Sequence, residues 1–424
     1  MTDVGRSAVV TLTSVILQAA TGVITMTVVI TQAITRVITP LLVLSLAAAL
    51  ALLTLPARAA TLKATLIALA DDPRLERVRL ERAYLGHPGG PLGDAVAMAI
   101  EESQFELESV GAAVNLNLVT AAGLDAARSA AAAAEKAGAA VLLVDLPAAW
   151  VLTVVDAVRL PVLNLSEAAD SLRQQDCRAR LFHLIPSERM RTDALAQTLV
   201  ARKWTKLLLL ARASPADALR AATAQASMKR YGLQVVANKP FKLSADPRER
   251  DLANPLLLTG GVQYDAVWVV DSDGEFARSL PYRTVLPRPV VGDAGLVALA
   301  WHAQFERFGA PQVVRRFAKA TKRAMTVQDW AAWMAGKALV ALVAAAPKGN
   351  AAGWAQALPK LQLDGSKGTQ MSFRPWDGQL RQPLQLTDGQ GVIGTAPIEG
   401  LLHPSEVLDT LGVDAPEKLC KVTR

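Results

Sequence analysis

The sequence predicts an α/β protein with two doubly wound lobes joined in series, each built on a parallel β-sheet covered by helices. The chain has 424 residues, which is enough for two hydrophobic cores. From residue 61 onward, short apolar runs alternate with helical patterns, as is typical of a parallel sheet buried on both faces. The alternation restarts near residue 193, which indicates a second lobe.

The first lobe is predicted to contain four strands and three helices. Its strands are continuous apolar runs, and such runs between helical patterns indicate strands with both faces covered. The predicted strands are residues 62–70, 114–120, 140–146 and 161–165, and the predicted helices are residues 92–108, 124–137 and 148–159.

The second lobe repeats this pattern before the chain becomes mostly helical beyond Trp301. Its predicted helices are residues 193–202 and 216–231, and its predicted strands are residues 206–211, 233–237, 266–270 and 289–291. A further helix is predicted for residues 329–346. The predicted domains are residues 60–184 with 298–358 as lobe one, 185–297 with 359–400 as lobe two, and 401–424 as a C-terminal tail.

The first 59 residues predict export. Arg36 provides a basic start, residues 41–55 an apolar core, and Ala57-Arg58-Ala59 a cleavage site with small side chains. We therefore expect an N-terminal extension and a signal peptide cleaved near Ala59, which places the mature chain in the periplasm. A retained membrane anchor is the alternative, because each of the two uncharged runs, 7–35 and 37–57, is long enough to span a bilayer.

Charge and cysteine content narrow the function classes. The full chain has 45 basic and 38 acidic residues. Cleavage near Ala59 removes Arg6, Arg36, Arg58 and Asp3, which leaves 42 basic and 37 acidic residues in the mature chain. The basic residues are scattered, so nucleic acid is not an expected partner. In an oxidising compartment the two cysteines of the mature chain can form a disulfide, or they can be two buried thiols. These cysteines are Cys177 and Cys420.

The sequence gives no sign of catalysis or of a metal site. It lacks the G-x-S-x-G nucleophile elbow and the Gly-Lys-Ser/Thr phosphate loop. The four histidines lie far apart, with no C-x-x-C companions. We expect no catalytic residues, no catalytic cofactor and no metal, and hence not an enzyme.

Several segments resemble type I periplasmic binding proteins of the Leu/Ile/Val-binding family. The strand and loop from Pro161 to Asp170, the crossover at 181–210 and the strand pair at 363–383 carry the resemblance, which covers nearly all of residues 61–400. It implies two lobes that close about a hinge on a small ligand, with ABC transporter membrane subunits as partners. The loop 145–149 lacks the hydroxyl groups with which this family often binds an amino acid's carboxylate, which disfavours a plain amino acid.

A narrower resemblance concerns the ligand. Residues 279–296, Trp301 and residues 372–386 are similar to a binding protein associated with pyrroloquinoline-quinone-dependent alcohol oxidation systems. The favoured ligand is therefore pyrroloquinoline quinone, a flat tricarboxylate. Two alternatives stay open: a binding protein for an amino acid or another small metabolite, and an assembly or sensing partner of a quinoprotein alcohol dehydrogenase.

Topology selects the candidate ligand-binding residues, because ligands of open α/β sheets lie beyond the carboxyl ends of the strands. Arg173 is the leading candidate, since a guanidinium grips a carboxylate with two hydrogen bonds; a surface ion pair with Asp170 or Asp176 is the alternative. Trp301 either stacks on a flat ligand or belongs to the core. Arg288 precedes its strand and is expected at the opposite edge. The full set is Arg74, Asp145, Ser166, Arg173, Arg212, Asp271 and Trp301.

Overall fold

The computed structural model describes residues 22–23, 26, 60–75 and 89–422. The chain divides into two units, Met1–Arg58 and Ala59–Arg424. The predicted N-terminal extension and signal peptide lie outside the described residues except for Gly22, Val23 and Met26, which are helical. No helix within the described ranges has the length and apolar character needed to cross a membrane.

The first lobe contains a five-stranded parallel sheet in the order β2-β1-β3-β4-β5. Its strands are β1 Ala60–Leu69, β2 Ala112–Ala121, β3 Val141–Asp145, β4 Val162–Asn164 and β5 Leu181–His183. Its helices are α1 Gly93–Glu102, α2 Gln104–Ser109, α3 Leu124–Lys136 and α4 Ala148–Ala157. Strand β5 was not predicted, because His183 interrupts the apolar run of residues 181–185. The predicted helix 92–108 is two helices that meet at Ser103.

The second lobe contains a four-stranded parallel sheet in the order β7-β6-β8-β9. Its strands are β6 Lys206–Arg212, β7 Gln234–Phe241, β8 Ala266–Val270 and β9 Val290–Gly292. Its helices are α5 Glu188–Ala201, α6 Pro215–Arg230 and α7 Pro255–Thr259. The Ser187 side chain caps α5 by accepting a hydrogen bond from the Met190 amide. The predicted fold class, two doubly wound parallel-sheet lobes, is confirmed.

Three further helices complete the first lobe: α8 Ala310–Thr321, α9 Val327–Ala345 and α10 Ala351–Ala357. Helix α9 begins with a capping box formed by Thr326 and Asp329. It packs so closely on α1 that a Cβ atom at Gly336 would lie 2.6 Å from the Ala99 Cβ atom. Helix α9 is thus a central element of the first-lobe core, which contains its Trp330, Trp333 and Leu339 side chains.

Short strands late in the chain shift the predicted lobe boundary. Strands β10 Val297–Leu299, β13 Leu384–Thr387 and β14 Val392–Ala396 form an antiparallel sheet that packs into the second-lobe core. The hairpin of β11 Leu363–Asp364 and β12 Gln370–Met371 instead packs into the first-lobe core, together with Phe373 and Leu380. Residues 359–380 therefore lie with lobe one rather than with lobe two, because tertiary packing decides where a two-residue strand belongs.

The C-terminal residues are also part of the fold rather than a tail. Leu411 belongs to the second-lobe core, and Leu408 and Val413 are buried. Cys420 is joined by a disulfide to Cys177 in the first lobe.

Candidate ligand-binding cleft

Each parallel sheet has one point at which the strand order reverses, between β1 and β3 in the first lobe and between β6 and β8 in the second. Such switch points form crevices outside the carboxyl ends of the strands, and ligands bind there. Four of the residues predicted from sequence lie at these two points. Arg74 follows β1, Asp145 ends β3, Arg212 ends β6, and Asp271 follows β8.

At the first-lobe switch point one arginine bonds two aspartates. The Arg74 Nη2 atom donates to Asp145 Oδ1 at 2.6 Å and to Asp72 Oδ2 at 2.6 Å. The Arg74 side chain is 41% exposed, whereas those of Asp72 and Asp145 are nearly buried. Burial lowers the pKa of Arg74, but the hydrogen bonds and charges of the two carboxylates outweigh it, and the net pKa is raised. The arginine is therefore charged, and part of its surface is open to solvent.

The second-lobe switch point repeats this arrangement. The Arg212 Nη1 atom bonds the Asp273 carboxylate and lies 3.8 Å from Asp271 Oδ1. Asp271 Oδ2 accepts hydrogen bonds from the Phe276 and Ala277 amides at 2.9 and 3.0 Å. Burial raises the pKa of Asp271, and the two amides and Arg212 offset this only in part. Both lobes thus present one arginine held between two aspartates.

Glu167 occupies the start of helix α4, a position where amide groups attract anions. Its Oε2 atom accepts from the Ala148 amide at 3.1 Å, and its Oε1 atom accepts from the Ala169 amide at 2.8 Å. Asn164 shapes this loop by accepting from the Ser166 and Glu167 amides. Sequence reasoning selected Ser166 and missed Glu167, although a carboxylate so soon after β4 was the available signal.

A second ion-pair network, also missed, joins the second-lobe helices to the cleft edge. Arg220 on α6 donates to both oxygens of Asp293 at 2.8 and 2.7 Å and to Glu188 at 3.0 Å. Arg191 donates to Glu188 at 3.1 Å and to the Ala298 carbonyl at 3.2 Å. Burial raises the pKa of Glu188, but the two arginines outweigh it and leave that pKa lowered. A cavity of about 180 Å³ lies beside this network, lined by Arg191, Asp293, Val297, Leu299, His302, Thr387 and Gly389.

Gly292 fixes the backbone at this edge. Its φ is +113°, in the region that favours glycine, and a Cβ atom there would lie 2.2 Å from the Val269 carbonyl oxygen. The close approach lets the Asp293 amide donate to that carbonyl at 3.1 Å. The Asp293 carboxylate in turn accepts from the Asp271 amide at 2.7 Å.

Two other kinds of site receive no support from the geometry. No group of three or more His, Cys, Asp or Glu residues in the described ranges is arranged to hold a metal ion. The run from Gly389 to Gly394 has the G-x-G-x-x-G spacing of a dinucleotide turn, a match that sequence reasoning overlooked. That motif requires a strand followed by a helix, whereas this run covers the turn after β13 and the first residues of β14, which pair in an antiparallel hairpin.

Comparisons with known proteins connect this geometry to one fold. No protein-family model matches the sequence, and no curated protein matches it. Solved structures do match. A leucine-, isoleucine-, valine-, threonine- and alanine-binding protein from Brucella ovis is 16% identical with a TM-score of 0.61, over 77% of this chain and 89% of its own. A putative branched-chain amino acid ABC transporter from Rhodospirillum rubrum is 14% identical with a TM-score of 0.62, over 78% of this chain and 100% of its own. A solute binding protein of an ABC transporter from R. palustris, in complex with benzoate, is 16% identical with a TM-score of 0.57, over 79% of this chain and 96% of its own.

The fold is that of a type I periplasmic binding protein. Three crossovers connect its lobes, at residues 184–187, 300–309 and 372–383. The first and third lie side by side, since the His183 amide donates to the Gly378 carbonyl and the Leu380 amide to the His183 carbonyl, both at 2.9 Å. We call these three crossovers the hinge, because they are the segments that join the two lobes.

Arg173 belongs to this hinge and not to a ligand-binding surface, which corrects the leading sequence prediction. The side chain is 1% exposed. It donates four hydrogen bonds, to Gln379 Oε1 and to the carbonyls of Glu167, Ala169 and Ile185. Burial lowers its pKa to about 10, with partial compensation from nearby carboxylates. Because these four bonds use four of the five N–H donors of the guanidinium, Arg173 has no pair of donors left with which to bind a ligand carboxylate.

Trp301 is a core residue, which decides between the two roles left open by the sequence. It is 1% exposed and stacks on Trp330 with ring centroids 6.2 Å apart. Both tryptophans belong to the first-lobe core. A ligand that stacks on Trp301 would have to displace this packing.

Lys367 places a buried amino group beside the same tryptophan pair. Its Nζ atom lies 3.6 Å from the Trp330 ring centroid and donates to Gln382 Oε1 at 2.9 Å and the Pro383 carbonyl at 3.2 Å. Burial lowers the pKa of Lys367 well below its usual value.

Lys367 therefore predicts a pH dependence of stability. Because the folded pKa is depressed below the unfolded value of about 10.4, the unfolded chain binds more protons between the two values, and stability should rise with pH across that window. We expect Lys367→Met to flatten the rise in urea unfolding free energy between pH 7 and about pH 10.4. The exposed Lys136→Met variant should keep the wild-type slope; equal slopes in both variants would contradict the assignment.

Proposed function

We propose that this chain is the periplasmic solute-binding component of an ABC-type importer, and that it binds a small ligand in the cleft between its lobes. One observation carries the proposal: in a fold whose solved examples include solute-binding proteins, the switch point of each lobe holds a partly exposed arginine. The role is binding rather than catalysis. The ligand would meet Arg74 on one lobe and Arg212 on the other, whereas the buried side chains of Asp145 and Asp271 hold these two arginines in place.

The class of ligand is limited by the side chains and backbone amides that already have partners within the protein. Glu167 takes the anion position at the start of α4, and Arg173 and Trp301 are held in the hinge and the core. The carboxylates of a ligand would therefore depend on Arg74 and Arg212, each of which is already paired with aspartates. These contacts favour a ligand with few negative charges over a tricarboxylate.

Pyrroloquinoline quinone stays a proposal that rests on the sequence resemblance alone. The same is true of a quinoprotein dehydrogenase as a partner, and of a role as its assembly or sensing protein acting through the outer surface. Copurification of a dehydrogenase without any ligand-induced rise in melting temperature would favour that role over solute binding.

The test is isothermal titration calorimetry with three probes: pyrroloquinoline quinone, leucine and benzoate. For any probe that binds, we expect Arg74→Ala and Arg212→Ala each to weaken affinity about tenfold, or about 1.4 kcal/mol, because each removes a partly desolvated cation. Arg288→Ala is the matched control and should leave affinity unchanged, since it removes an exposed arginine that precedes β9.

The outcomes separate the parts of the proposal. Wild-type binding of leucine or benzoate without the quinone would remove the quinone hypothesis and keep the binding function. Equal losses in all three variants would show that the cleft is placed wrongly. No binding of any probe would exclude these ligand classes.

A further inference from the structure

The C-terminal segment from residue 407 to 420, here called the strap, starts on the second lobe. Leu411 packs in the second-lobe core. The Gly412 amide donates to Asp193 Oδ2 at 2.9 Å, and the Gly412 carbonyl accepts from Arg230 Nη1 at 2.9 Å. Asp193 and Arg230 lie on α5 and α6, so the strap is anchored to both helices on this face.

The strap then binds the third crossover. Arg374, which is 1% exposed, donates to Asp409 Oδ1 at 2.9 Å. Arg381 bonds the same carboxylate at 2.8 and 3.0 Å. Three strap carbonyls, those of Leu408, Leu411 and Val413, also accept from Arg374 at 2.9, 2.7 and 3.4 Å. The strap is thus hydrogen-bonded to one of the three crossovers that form the hinge.

The strap ends on the first lobe. Before it leaves the second lobe, the strap makes one more contact there: Glu417 forms two hydrogen bonds with Arg189 on α5, at 2.7 and 3.0 Å. Three residues later, Cys420 is bonded to Cys177, which is buried and lies between Arg173 and strand β5. The bond joins residues 243 positions apart. It turns the strap into a covalent connection between the lobes, additional to the three crossovers.

We propose that the strap limits how far the two lobes open. Rotation about a hinge displaces every point that lies off its axis, so a tether fixed to both lobes restricts that rotation. The anchor on the second lobe is a set of buried contacts, and the anchor on the first lobe is a disulfide; neither end slips without breaking bonds. The ligand-free protein should therefore sample a narrow range of lobe separations.

Single-molecule fluorescence energy transfer on the ligand-free full chain tests this proposal. Dyes on non-canonical amino acids would replace Phe105 in the first lobe and Leu219 in the second, which are 85% and 73% exposed. We expect Cys177→Ser/Cys420→Ser to broaden the distance distribution toward larger separations. Glu417→Gln is the matched control, because it weakens the ion pair and keeps the disulfide; its distribution should stay near wild type.

The measurement is made without ligand, so its result is independent of whether the proposed binding function holds. An unchanged distribution in the double-serine variant, confirmed as folded by circular dichroism, would overturn the proposal. If that variant does not fold, the oxidised wild-type protein is reduced with a phosphine after folding. Broadening on reduction would support the strap, whereas global unfolding or no change would overturn it.

Discussion

Arg173→Met should lower the free energy of unfolding by about 3–5 kcal/mol, the range reached when a buried hydrogen-bonded network is broken. The substitution keeps an aliphatic stem of similar length but removes four donors. It leaves Gln379 Oε1 and the carbonyls of Glu167, Ala169 and Ile185 without this partner in the interior. The loss should appear as a lower urea midpoint with an unchanged slope.

Arg178→Met is the matched control for this loss. Arg178 lies five residues away, pairs with Asp156 at 2.7 Å and has a side chain that is 35% exposed. An exposed pair of this kind contributes about 0–1 kcal/mol. Similar small losses in both variants would show that Arg173 is not the buried support described for the hinge.

Removal of residues 401–424 should abolish cooperative folding of the second lobe. Truncation exposes the surface that Leu408, Leu411 and Val413 cover. The stabilisation lost with each of these buried side chains is about 1.5–3 kcal/mol. It also removes from the buried Arg374 the Asp409 carboxylate and three carbonyl acceptors, and removing one partner of a buried charge costs about 3–5 kcal/mol. The combined loss is comparable with the whole stability of a typical domain, about 5–15 kcal/mol.

Thermal unfolding followed by near-ultraviolet circular dichroism measures this effect. A chain shortened by residues 423–424 alone keeps every contact described here and should melt like the full-length protein. A cooperative transition near the full-length melting temperature after removal of 401–424 would mean that the segment is a dispensable tail, as the sequence had suggested.

The sequence predicted the fold because buried parallel strands require continuous apolar runs. Residues 140–146 and 266–270 are such runs, and each corresponds to a buried strand, β3 and β8. The same reasoning failed for β5 and for the hairpin of β11 and β12. His183 interrupts the apolar run that contains β5, and strands of two residues show no period, so packing with residues far along the chain decides their partners.

The positions of the candidate residues in the fold were predictable from the sequence, but their hydrogen bonds were not. A residue's place at the carboxyl end of a strand is a property of the local chain, so the sequence predicted that Arg74, Asp145, Arg212 and Asp271 end or follow strands, and they do. Which acceptors an arginine meets depends on tertiary structure. Arg173 meets Gln379 from 206 positions away, and nothing near Arg173 in the sequence distinguishes that role from a ligand-binding one.

Native mass spectrometry of the protein purified from periplasm without denaturation tests the central claim most directly. If the chain is a solute-binding protein, the folded protein should carry an additional small-molecule mass that is lost on unfolding. The mass should be absent or strongly reduced in the Arg74→Ala/Arg212→Ala double variant, because both switch points then lack their cation. A bare protein mass under every gentle condition, or equal retention by the double variant, would contradict ligand binding in this cleft.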